Sequence, residues 1–257
     1  MLTNSDLLNF LEEKTDLYNR SSFIETDPVS IPHLFTDKPD IEISGFLVSA
    51  FSWGQRPTIC RNGMELMRRM DFAPYDFVMN ASSRDYNAMN GFVHRTFNSA
   101  DLIVFIKALK SVFEQYGSLE KAFIPPDTSS RDKVKEGLTA FRQRFFMTEH
   151  MQRTEKHVPD PLKNASCKRL NMFLRWMVRT DNRGVDFGLW KAFSPSGLYC
   201  PLDVHSGRVA TKLGLLNRKA NDWKAVEELT ANLRTFDPAD PVKYDFALFG
   251  LGIFEKF

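Results

Sequence analysis

The chain has little cysteine, and what it has is scattered. Cys60, Cys167 and Cys200 are the three cysteines among 257 residues, and no two share a Cys-x-x-Cys spacing. That pattern excludes a disulfide framework, a zinc ribbon and a four-cysteine iron–sulfur cluster, so neither a metal nor another cofactor is expected. Long apolar runs are missing too: nothing approaches the roughly 20 residues that a membrane-spanning helix needs. The N-terminal Met-Leu-Thr-Asn-Ser-Asp lacks the basic start and apolar stretch of a secretion signal, which predicts a cytoplasmic protein with no membrane partner. Alternating apolar and polar residues between paired turn signals are absent, as are internal repeats, which argues against sheets and solenoids. Finally, there is no strong net charge, with 34 Lys+Arg against 32 Asp+Glu.

What is present is helical periodicity. Leu7, Leu8, Phe10, Leu11 and Leu17 form a stripe over residues 3–19, starting near Asn4 or Ser5. Residues 20–39 read as a connecting loop with turns at its prolines. From Asp40 a nearly all-apolar helix runs through Ile43, Phe46, Leu47, Val48 and Phe51 to a break at Ser52-Trp53-Gly54-Gln55, after which a further helix begins. Residues 74–98 predict a short helix and an irregular connection, with His94 and Arg95 as surface contacts. Helices follow at about 99–116, 118–124 and from Ser129 or Ser130 to about 146. Another helix starts at Asn221 or Asp222, and a last one opens at Pro241, interrupted by Gly250 and Gly252. The fold class is therefore all-α.

Charge is unevenly distributed. Residues 131–183 carry thirteen Lys/Arg against six Asp/Glu, whereas residues 1–45 carry three against nine. A basic middle suits a polyanionic partner, although solvated helix faces alone give the same count. Two segments bear chemistry. Asp203 follows Pro201-Leu202 at the mouth of the periodic run Val204, Val209, Leu213, where a carboxylate can cap backbone N–H groups and stay ionised. Lys168 stands in the first turn of a helix that buries Leu170, Phe173, Leu174, Met177 and Val178. A lysine there opposes the helix macrodipole, which is poor design unless something needs the amine. Taken singly, Asp203 also reads as an ordinary N-cap and Lys168 as a surface lysine.

Pro-Leu-Asp-Val-His-x-x-Arg-Val, followed by Leu-Gly-Leu, resembles the segment around the essential aspartate of the helix-hairpin-helix DNA glycosylases, with Asp203, His205, Arg208 and Val209 at the matching positions. Lys168, upstream and just after a hairpin, lies where bifunctional members carry the lysine that attacks the sugar, an arrangement resembling the archaeal oxoguanine glycosylases. The Trp53-Gly54-Gln55 break resembles the first signature turn, in which the glutamine faces DNA. The resemblance implies a two-lobed helical bundle with a helix-hairpin-helix and a cleft between lobes, lobe A at roughly 1–45 plus 165–257 and lobe B at roughly 46–164.

It further implies a monomeric base-excision enzyme, cytoplasmic and at the nucleoid when working. Its substrate would be double-stranded DNA carrying an oxidised purine such as 8-oxoguanine. Lys168 and Asp203 would be catalytic, Arg169 a basic neighbour, and Gln55, Trp53, His205 and Arg208 DNA contacts. Asp245 and Phe249 would stand for the late-helix residues that line the base pocket. Two departures from the family pattern stand out. Residues 158–166 contain no glycine where the hairpin's Leu-Pro-Gly-Val-Gly is expected. The longer Lys168-to-Asp203 spacing makes Thr180–Tyr199 an insertion beside the pocket. The alternative is a non-catalytic nucleic-acid-binding protein on the same fold.

Overall fold

The computed structural model describes residues 3–130 and 132–257. Within them the chain forms α1 (Asn4–Tyr18), α2 (Ser21–Ile24), α3 (Lys38–Ala50), α4 (Arg56–Arg69), α5 (Pro74–Asn80), α6 (Ser83–Ala88), α7 (Ser99–Tyr116), α8 (Leu119–Phe123), α9 (Lys133–Phe145), α10 (Lys168–Val178), α11 (Val204–Lys212), α12 (Trp223–Phe236) and α13 (Asp245–Ile253). The chain is mostly helical, as its periodicity predicts. One pairing was not expected: β1 (Val93–His94) lies antiparallel to β2 (Phe97–Asn98), turning through Arg95 at φ 56. At two residues a strand is too short to show alternation in sequence.

Two compact units divide the chain, one of Met1–Phe23 with Asp160–Phe257 and the other of Ile24–Pro159. The predicted boundary at 45/46 is corrected by this division, because it would cut through α3, the central helix of the Ile24–Pro159 unit. Every residue of α3 from Ile41 to Ala50 is buried, as a helix without a polar face must be. Phe46 packs on Phe105, Phe141 and Phe145, with ring centroids 5.7, 5.2 and 5.4 Å away. Each such aromatic pair adds about 0.5–1.5 kcal/mol beyond the area it buries. The one acid on this helix's buried face, Glu42, accepts from the Leu119 N–H at 3.0 Å and so caps α8.

In the other unit α10 has the central position, buried from Leu170 to Arg179. Helix α13 packs against α1 and α11, and its glycines explain how. A Cβ on Gly250 would stand 2.1 Å from Tyr18 Cδ2, and one on Gly252 would stand 3.1 Å from His205 Cβ. These residues do not interrupt the helix; they let two neighbours approach its backbone. Helix α1 begins at Thr3, whose hydroxyl and the Asp6 carboxylate form a capping box, and of its predicted stripe Leu17 remains 44% exposed. Leu7 and Leu11 of the stripe are buried, together with Thr15. No helix among the described residues is long and apolar enough to cross a membrane.

Candidate functional site

Lys168 and Asp203 come together in the unit built around α10. Lys168 Nζ lies 3.8 Å from Asp203 Oδ2, with the two side chains 23% and 26% exposed, so the pair is reachable from solvent. The local backbone explains each placement. Lys168 is the first residue of α10, behind Cys167 at φ 49 in the left-handed region, and Cys167 provides no side-chain cap. A non-glycine residue held there costs about 1–2 kcal/mol, and such strain concentrates at functional sites. The segment before α10 turns through a second left-handed residue, Asn164 at φ 58, whose carbonyl and side chain bind the start of α12 through Trp223 N and Asp222 Oδ2. Asparagine tolerates this conformation better than most residues.

Asp203 is the N-cap of α11. Its Oδ1 accepts from His205 N at 2.9 Å, from Ser206 N at 3.0 Å and from Ser206 Oγ at 3.0 Å, while Ser206 Oγ accepts from Asp203 N. One carboxylate oxygen thus fixes the side chain and the other faces the amine. Burial pushes the Asp203 carboxyl up, but the Lys168 ammonium and the hydrogen bonds from Ser206 and His205 outweigh it and leave the group below its ordinary value. Asp203 therefore stays ionised across the physiological range.

A buried ion network adjoins the pair, and residue-by-residue reading of the sequence missed it. Arg175 donates through Nε to Asp186 at 3.2 Å and through Nη1 to Asp245, and its guanidinium carbon lies 4.2 Å from the centroid of the Phe246 ring. Arg179 donates to Asp181 at 2.7 Å, Asp186 at 3.1 Å and Asp240 at 2.8 Å. Both arginines are 3% exposed. Four carboxylates face two guanidiniums here, Asp186 and Asp245 buried and Asp181 and Asp240 partly exposed. Burial pushes Asp245 to about 6 and raises Asp240, despite the arginine beside each. One signal was available: positions 168, 172, 175 and 179 form a single helical stripe, and arginines on such a stripe of an otherwise apolar helix require buried acids.

The remaining predicted residues are placed as follows. Arg169 is half-buried, and burial pushes its guanidinium down to about 10, still cationic at neutral pH. His205 is exposed above Gly252. Arg208 is exposed and donates to the carbonyls of Phe257 and Gly252 at 3.1 and 3.3 Å, at the end of α13. Asp245 is buried at the start of α13 in its ion pair with Arg175. Phe249 is half-buried and packs edge-on to Phe23 at 5.9 Å.

The segment 180–199 packs on α10, with Phe187 N and Trp190 N donating to Trp176 O and Met177 O. Cys167 and Cys200 are buried thiols, and burial holds Cys200 well above the ordinary range.

Gln55 and Trp53 belong to the Ile24–Pro159 unit. Gln55 is exposed at the N-cap of α4 with no side-chain capping bond, and Gly54 before it has φ 108. Trp53 is packed, its ring stacked on His157 at 5.6 Å and edge-on to His94 at 5.5 Å. His94 is not a surface contact: it is 2% exposed, and its ring nitrogens lie 2.9 Å from Asn62 Nδ2 and 2.9 Å from Trp53 O. Within the basic middle, Arg142 pairs with Glu155, Arg153 with Asp101, and Arg144 donates to the carbonyls of Ala122 and Ile124.

No curated protein and no solved structure matches the chain. A family model described as "Protein of unknown function (DUF2400)" matches residues 27–254, nearly the whole length, and the chain belongs to that family.

Proposed function

We propose that this protein is a DNA glycosylase of the helix-hairpin-helix kind with abasic-site lyase activity, acting as a monomer on double-stranded DNA that carries an oxidised purine such as 8-oxoguanine. The observation that carries the reading is the approach of Lys168 Nζ to Asp203 Oδ2, 3.8 Å apart in a solvent-reachable position, with Asp203 clamped through its other oxygen. An amine and an ionised carboxylate at one point supply the two groups that the reaction requires, and the order of the two segments along the chain is the order of the family it resembles.

The chemistry proceeds without a cofactor. The extruded base leaves its sugar as the glycosidic C–N bond breaks, its bonding electrons departing with the base, and positive charge builds on the sugar beside the Asp203 carboxylate. Lys168, having lost its proton, attacks the anomeric carbon through its nitrogen lone pair. The C–N bond so formed rearranges to a protonated Schiff base when the ring oxygen takes up a proton. Loss of the neighbouring proton then expels the 3′ phosphate and cuts the strand. Extruding the base costs roughly a few kcal/mol, which damage reduces. Gln55, exposed on its turn, and Trp53, stacked on His157 beside it, would be DNA contacts of the Ile24–Pro159 unit. Arg169 adds cationic charge next to Lys168.

Borohydride trapping on a duplex containing 8-oxoguanine tests the reading. A covalent protein–DNA adduct is expected with the wild-type protein and none with Lys168→Ala. Salt-sensitive DNA affinity without an adduct would instead identify a binding protein on this fold.

A further inference from the structure

The Lys168 amine has a second neighbour to which the chemistry above gives no part. Its Nζ lies 3.7 Å from Met172 Sδ, as close as to Asp203 Oδ2 at 3.8 Å. The helix accounts for the contact. Residues 168 and 172 are one turn apart on a single face of α10, and a helical side chain leans toward the N-terminus of its helix, so Met172 reaches back over the turn that Lys168 opens. Met172 is 8% exposed and the Lys168 side chain 23%, which sets the sulfur inside the unit and the amine at its edge. On the stripe of positions 168, 172, 175 and 179, Met172 is the one uncharged residue among a lysine and two arginines. It stands in line with the polar groups of α10, across the helix from Leu170, Phe173, Leu174 and Met177.

We infer that Met172 is a positioning residue for Lys168: its thioether sulfur accepts from the amine and, together with the Asp203 carboxylate, holds the nitrogen where the sugar arrives. The inference rests on the reading of Lys168 as the nucleophile. Lysine carries its amine on a flexible four-carbon stem, and one contact to a partly exposed carboxylate leaves that stem several ways to lie. A second acceptor on a buried side chain removes most of them. A thioether suits the task because it is a weak, polarisable acceptor. It restrains the amine without adding a second negative charge beside Asp203, and it gives way when the nitrogen moves onto the anomeric carbon. Met172 itself makes and breaks no covalent bond. Restraint of the amine is what the reaction needs, so another uncharged acceptor of the same reach serves in its place.

Two replacements in the whole protein separate the acceptor from the shape. Met172→Leu keeps an apolar side chain of nearly the same volume and loses the acceptor, whereas Met172→Gln keeps an unbranched chain with an acceptor oxygen and loses the apolar character. The first measurement needs no DNA. With 13C-labelled lysine, the Lys168 ε-methylene resonance, recognised by its loss in Lys168→Met, should show two inequivalent protons in the wild-type protein. Met172→Leu should merge them and Met172→Gln should keep them apart. In the second measurement, the borohydride-trapping rate on the 8-oxoguanine duplex should fall roughly 10–100-fold in Met172→Leu, the scale for a displaced reacting group, with duplex affinity unchanged, and Met172→Gln should recover most of the loss. Merged protons in the wild-type protein or in both variants overturn the inference. So does a Met172→Leu protein that matches wild type in either measurement, which would leave Met172 as packing alone. With no adduct from wild-type protein the glycosylase reading itself fails, and the methylene protons still decide whether Met172 holds the Lys168 amine.

Discussion

Replacing Asp203 separates a helix cap from a chemical group, and the structure sets the size of each effect. Asp203→Asn keeps a side-chain oxygen for the N–H groups of His205 and Ser206, now 2.9 and 3.0 Å from Oδ1, and asparagine caps helices about as well as aspartate. What it removes is the charge, and with it the ion pair to Lys168. At 3.8 Å and roughly a quarter exposed, that pair contributes about 0–1 kcal/mol. Asp203→Ala removes the cap as well, at a further cost of about 1 kcal/mol. For a chain of this size each kcal/mol corresponds to about 2–4 °C in Tm. Thermal melts at neutral pH should therefore show Asp203→Asn near wild type and Asp203→Ala a few degrees lower. Borohydride trapping should fall by roughly 10²–10³ in both, the scale of losing one preorganised electrostatic contact. The sign with pH follows from the lowered carboxyl: its contribution is complete above the unfolded value near 4 and is lost only as pH falls through the lower folded value, so the gap between wild type and Asp203→Asn should close only in strong acid. Wild-type trapping in a well-folded Asp203→Asn protein would refute the reasoning and leave Asp203 as a cap alone.

Three further outcomes are expected. Gly250→Ala should destabilise the protein by about 1–3 kcal/mol in denaturant melts, because the new Cβ meets the Tyr18 ring at 2.1 Å and overpacking exceeds the ~1 kcal/mol gained in helix propensity. Tyr18 cannot turn aside, being stacked on Phe254 and hydrogen-bonded to Glu255, so Tyr18→Ala should relieve the double mutant. Arg175→Met leaves Asp245 without its ion pair, while Asp186 keeps Arg179, and should cost about 3–5 kcal/mol at neutral pH, with partial recovery at pH 5 as Asp245 takes a proton. For Asp245 the sign is opposite to that of Asp203: its folded value, about 6, lies above the ordinary 3.8. Its contribution to stability is therefore full below pH 4 and lost as pH rises to 6, by about 3 kcal/mol, which a comparison of wild type with Asp245→Asn across that range would reveal.

How much of this was legible in the sequence depended on whether the cause was local. The cap at Asp203 and the start of α10 at Lys168 are decided within four or five residues, and periodicity found both helices. The ion network was not legible in the same way, because Arg175 meets Asp245 seventy residues further on, and only the stripe of arginines on α10 announced that acids must lie somewhere opposite. Gly250 and Gly252 read as helix breakers on propensity, yet tertiary packing against Tyr18 and His205 prevailed over that preference. His94 was assigned to the surface by residue type, yet it is buried with its ring on the Trp53 carbonyl. Arg208 is exposed, and its bonds to the carbonyls of Gly252 and Phe257 reach 44 and 49 residues along the chain, beyond what a local reading sees.

The central claim is that the Lys168 amine, beside Asp203, forms a covalent bond to a DNA sugar. Peptide mapping by mass spectrometry of protein reduced with borohydride in the presence of an 8-oxoguanine duplex tests it most directly. The account predicts a deoxyribose-derived mass on the peptide that contains Lys168 and on no other. A modification at a different lysine, or unmodified protein recovered from a bound duplex, would contradict it.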